Sequence, residues 1–125
     1  MPVRSLNSPV LKWPDAQTVD RAVRDWAAAM VAERPEAIRV GYFGSYARGD
    51  WGVGSDLDLL VIVEHASEPF ERRRIRWDAT DLPVPADVLV YTDREWQALS
   101  ANSPFVARAK REAVWVYERP AGLTN

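Results

Sequence analysis

Apolar positions recur at two different spacings along this chain, and the alternation between them predicts its elements. From Val19 to Met30, Val19, Ala22, Val23, Trp26 and Met30 recur at helical spacing, with Asp20, Arg21, Arg24 and Asp25 opposite. Asp15 or Thr18 can cap this helix, which should end near Glu33, before Pro35. Ala37–Phe43 reads as a strand, with Ile38, Val40 and Tyr42 on one face and Arg39, Gly41 and Phe43 on the other. Leu57–Val63 is apolar on nearly all sides, as a central strand covered on both faces would be.

Residues 68–81 read as a helix in which Phe70, Ile75 and Trp77 interrupt a charged run, with its arginines forming a solvated face. Pro83 and Pro85 close it and lead into a third strand, 86–91, with Asp87, Leu89 and Tyr91 on one face. Asp93 or Thr92 caps a short helix through Leu99. Ser103-Pro104 starts another, from Phe105 to about Glu112, and 114–117 forms a closing strand. The order helix, strand, strand, helix, strand, helix, helix, strand predicts an α/β domain with a small mixed sheet flanked by helices. Residues 1–14, with three prolines, form an irregular arm; 15–118 form one domain; 119–125 form a polar tail.

Composition narrows the chemistry. The 125 residues include no cysteine and one histidine, His65, which excludes thiolate sites, multi-histidine zinc sites and any triad not built on His65. A formal net charge of −2 argues against a general nucleic-acid binder. No apolar run approaches a membrane span and no signal peptide opens the chain, so a cytoplasmic location is expected.

The stretch between the first two strands carries the candidate chemistry. Gly44-Ser45 opens a turn in which glycine lets the backbone approach phosphate oxygens and Ser45 offers its N–H and hydroxyl. Arg48 offers a cation to the same phosphates. Asp56 and Asp58, two apart at a strand start, project to one face. Two bare carboxylates this close repel, and a divalent cation relieves them; hard oxygen ligands suit Mg²⁺. Asp87 would supply a third carboxylate if its strand pairs beside 57–63. Three such groups can hold two ions. Each piece alone is a common turn, cap or strand end. Their order and strand context favour a site for a nucleoside triphosphate.

Gly44-Ser45, ten residues, then Asp56-Leu57-Asp58 resembles the signature of the DNA polymerase β-like nucleotidyltransferase superfamily. Gly44-Ser45-Tyr46-Ala47-Arg48-Gly49 followed by Ser55-Asp56-Leu57-Asp58-Leu59 is similar to the minimal nucleotidyltransferases of bacteria and archaea, with Tyr46 where the family often has arginine. The resemblance implies a polymerase β-like fold, two Mg²⁺ ions, and transfer of a nucleoside monophosphate from a triphosphate, ATP above all, to a hydroxyl. It implies Asp56, Asp58 and Asp87 as metal-binding and catalytic carboxylates, with Gly44, Ser45, Arg48 and Ser55 around the nucleotide. Minimal nucleotidyltransferases are often antitoxins of helical HEPN toxins, and some place AMP on a tyrosine of the toxin. The leading expectation is therefore adenylylation of such a partner, with Trp51 or Trp77 in the partner surface. Two rivals stand beside it: transfer to a small hydroxylated acceptor such as an aminoglycoside, and an antitoxin that acts by binding alone.

Overall fold

The computed structural model describes residues 13–120. Most of the arm and tail expected at the two ends lies outside that range. Two residues at its edges are tied to the fold. Trp13 Nε1 donates to the Tyr46 hydroxyl at 2.8 Å. The Arg119 N–H donates to the Ile38 carbonyl at 2.8 Å, while its guanidinium pairs with Glu64 at 2.9 Å.

Four strands form a mixed sheet: β1 (Ala37–Phe43), β2 (Leu57–Val63), β3 (Ala86–Thr92) and β4 (Val114–Glu118). Their spatial order is β3-β2-β1-β4. β1 runs antiparallel to both β2 and β4, and β2 runs parallel to β3. The parallel pair requires a crossover, and the segment between Val63 and Ala86 supplies it.

Two helical layers cover the sheet. Helix α1 (Ala16–Glu33) is capped by Asp15, whose carboxylate accepts the Thr18 N–H. It packs Val19, Val23, Trp26 and Ala27 against Val40, Tyr42, Leu57, Leu59, Val61 and Val63. On the opposite face, α4 (Asp93–Asn102) and α5 (Pro104–Glu112) bring Trp96, Val106 and Ala109 onto Phe43, Leu60, Ile62 and Tyr91. β2 thus feeds both cores in alternation, and Leu57, Leu59, Leu60, Val61 and Ile62 are 0–1% exposed. Burial of each such side chain contributes about 1.5–3 kcal/mol, which makes β2 the axis of the fold. Helix α2 (Ser45–Arg48) is a single turn between β1 and β2.

Four expectations are corrected. The helix over 68–81 shrinks to α3 (Phe70–Arg73) and a 3₁₀ turn at Arg74–Arg76. Trp77 ends it: this ring is 2% exposed and packs on Trp26 at 6.3 Å, so the backbone must turn inward there. Trp77 is therefore core and no partner surface. Arg73 does not belong to a solvated face either. It is 8% exposed and pairs with Glu95 through Nη1 at 2.6 Å and Nη2 at 3.1 Å. Ile38 does not share a face with Val40 and Tyr42. A bulge between Ala37 and Arg39 turns it toward the core under α4 and α5.

Candidate active site

The strand register assembles the carboxylates. Asp58 pairs directly with Asp87 across the parallel β2–β3 ladder. On β2, Leu57 and Leu59 face the α1 core, so Asp58 points to the α5 side with Leu60 and Ile62. On β3, Asp87 alternates with Val88 and Val90 in the same way and shares its face with Leu89 and Tyr91. Asp56, two residues before Asp58, precedes the strand and lines one cleft with Asp58, whereas Asp87 lines the neighbouring hollow with Val84, Pro85 and Val88. Asp56 and Asp87 are exposed, whereas Asp58 is half-buried.

Burial pushes the Asp58 carboxyl above its ordinary range, and the charges of Asp87 and Asp56 push it further; Arg48 opposes them. Asp58 therefore feels both neighbouring carboxylates. Among the described residues, no three acidic or histidine side chains close on one point as a preformed cation cage. The all-oxygen donor set still fits a hard divalent ion, which would relieve the repulsion felt at Asp58.

Gly44 brings the turn against this cluster. Its φ is +82°, which L side chains rarely adopt, and a Cβ built there would collide with Asp58 Oδ2. The α2 turn follows, stabilised by the Ala47 and Arg48 N–H groups donating to the Gly44 carbonyl. Its first N–H groups, of Ser45 and Tyr46, have no helical acceptor by geometry. Tyr46 is buried, stacks on Trp51 at 5.5 Å and donates to the Ser55 carbonyl at 3.4 Å. It thereby fastens the glycine-rich arm to the site. Ser55 Oγ accepts the Gly52 N–H at 2.8 Å, so its hydroxyl shapes the approach to Asp56.

The cleft has a volume of about 400 Å³. Its floor and one wall are Gly44, Ser45, Arg48, Ser55, Asp56 and Asp58; its other wall is α5. The turn belongs to the nucleotidyltransferase domain family, whose profile matches residues 25–116. The chain is a member of this family.

Other comparisons agree at the level of fold. A Methanocaldococcus jannaschii protein bearing the name protein adenylyltransferase is 38% identical over 52 residues, which are 42% of this chain and 52% of that relative. The matched stretch thus spans about half of the relative's length. A solved structure described as a nucleotidyltransferase from Sulfolobus solfataricus superposes with a TM-score of 0.63 at 21% identity, over 87% of this chain and 88% of its own. A toxin–antitoxin structure with AMP-PNP gives 0.56 at 16% identity, over 77% of this chain and 73% of its own. A mutant toxin–antitoxin structure gives 0.53 at 13% identity with the same coverage.

Within this nucleotidyltransferase, sequence reasoning missed the α5 wall. Phe105, Arg108 and Glu112 line the cleft from more than 45 residues beyond the motif. Glu112 Oε1 accepts the Gly44 N–H at 3.3 Å and pairs with Arg48 Nη1 at 3.2 Å. Arg48 also pairs with Asp50 through Nε at 3.0 Å. The cation expected at the phosphates is therefore held by two carboxylates, and a phosphate at the turn would compete with Glu112. The only signal for this wall in the sequence was the helical spacing of 105, 108 and 112.

Proposed function

We propose that this nucleotidyltransferase moves AMP from ATP to a hydroxyl of a partner protein, as the antitoxin of a pair with a helical HEPN-type toxin in the cytoplasm. One observation carries the catalytic part: Asp58 stands in direct register with Asp87, feels the charges of both Asp87 and Asp56, and has the Gly44 turn packed on it. The name of the M. jannaschii relative and the two toxin–antitoxin neighbours support the choice of acceptor.

In this reading Asp56, Asp58 and Asp87 would hold two Mg²⁺ ions. Such ions, when bound, lower the pKa of an attacking hydroxyl and neutralise a leaving pyrophosphate. The Gly44-Ser45 turn would orient the β- and γ-phosphates, and Asp87, exposed and outside the cleft lining, would be left to the acceptor side. The acceptor oxygen bonds to the α-phosphorus as the bond to the β-phosphate oxygen breaks. Pyrophosphate leaves, and the hydroxyl proton passes to a carboxylate and then to solvent.

The domain limits 15–118 stand as part of this proposal, and no helix among the described residues is long and apolar enough to cross a membrane. The decisive comparison uses Asp56→Ala/Asp58→Ala beside wild type, each with Mg²⁺, labelled ATP and the toxin. Wild type should label and neutralise the toxin, and the double variant should do neither. Full neutralisation by the double variant would replace catalysis with binding alone. Label appearing on an aminoglycoside and not on protein would favour the small-acceptor rival.

A further inference from the structure

We infer that α5 is the nucleoside-recognising wall of the cleft: Phe105 takes the face of the base and Arg108 takes the phosphates of a bound nucleoside triphosphate. This rests on the nucleotide reading above and adds the residues that would discriminate a nucleotide from a bare polyphosphate.

Packing aims the strip. Val106 and Ala109 are each 2% exposed in the core beneath α5, which fixes the helix's rotation. Phe105, Arg108 and Glu112 then fall along the cleft side at i, i+3 and i+7. Glu112 touches the Gly44 N–H and Arg48, so the C-terminal end of α5 marks the phosphate turn. At about 1.5 Å per residue, Phe105 lies roughly 10 Å further along the helix. A nucleotide gripped at the turn and running along α5 would meet Arg108 with its phosphates and Phe105 with its base.

The chemistry of each residue fits its place. Phe105 is 49% exposed, the one large exposed apolar side chain that lines this cleft among the described residues. Its edge-on contact with Phe43, at 5.6 Å and 82°, holds the ring while much of its surface stays open. An open aromatic surface beside a phosphate site is a platform for a base. Two arginines line the cleft. Arg48 is committed to Asp50 and Glu112, whereas Arg108 makes no ion pair with any described residue. Arg108 is thus the cation left for the triphosphate.

Calorimetric titration with ATP and with inorganic tripolyphosphate, in Mg²⁺, separates the roles. Phe105→Ala should weaken ATP about tenfold, as loss of one base–aromatic stack does, and leave tripolyphosphate within about twofold. Retained tripolyphosphate binding also reports that this variant is folded. Phe105→Trp should restore ATP affinity, and Phe105→Leu, which keeps an apolar side chain against Phe43, should behave like alanine. Arg108→Ala should weaken both ligands alike, with a shallower salt dependence. Equal loss of both ligands in Phe105→Leu, or loss of neither, would overturn the inference. Wild type that binds neither ligand would sink the nucleotide reading along with it.

Discussion

Gly44 and Asp58 form one device at the residue scale. The backbone at Gly44 is left-handed and lies where any Cβ would strike the Asp58 carboxylate. Gly44→Ala should therefore displace either the turn or the carboxylate while leaving both cores intact. A loss of nucleotidyl transfer of at least about a hundredfold, with little change in thermal melting, is the expected outcome of paired rate and melting measurements. Asp58 itself is an expense to the fold. Its folded-state pKa lies above the ordinary value, so its ionisation opposes folding once the pH exceeds the usual carboxylate range. At neutral pH without metal, Asp58→Asn should melt a few degrees higher than wild type and be inactive. Added Mg²⁺ should raise the melting temperature of wild type and not that of the variant. An Asn variant that melts lower in metal-free buffer would contradict this account of the acid cluster. Asp56, Asp58 and the turn were legible because they lie within fifteen residues of one another. Phe105, Arg108 and Glu112 were not, because only the fold of α5 across the sheet brings them to the motif.

At the scale of elements, periodicity located α1, the strands and the two last helices to within a few residues. It failed where tertiary contacts set the local structure. The 68–81 segment has helical composition, yet the burial of Trp77 and the pairing of Arg73 with Glu95 restrict it to short turns. Ile38 was misassigned because a bulge shifts side-chain alternation, and no residue type announces it. The Arg73–Glu95 pair ties α3 to α4, and Glu95 also completes the capping box with Thr92. The hydrogen bond from Arg73 holds the Glu95 carboxyl below its ordinary value. Its contribution to stability is present above the unfolded pKa and is lost as the pH falls through the folded one. Glu95→Gln should cost about 1–2 kcal/mol at neutral pH, between the exposed-pair and buried-pair limits. It should also flatten the acid side of the stability profile, as followed by denaturant titration across pH. An unchanged acid limb would mean that other carboxylates govern acid unfolding.

For the whole molecule, the sheet order β3-β2-β1-β4 puts the parallel β2–β3 pair at one side, and that pair carries Asp58 and Asp87 in register. The mixed sheet was legible in the element order; the direct pairing of two aspartates was legible only as a condition on strand adjacency. In the proposed reading the cleft supplies the donor half of a transfer reaction, so the acceptor decides what the protein does. The most direct test incubates the chain and the proposed toxin partner with Mg²⁺ and ATP labelled either at the α- or at the γ-phosphate. Label on the toxin from α-labelled ATP alone, abolished by Asp58→Asn, is the predicted result. Label from γ-labelled ATP, or none from either, would contradict transfer of AMP to the partner.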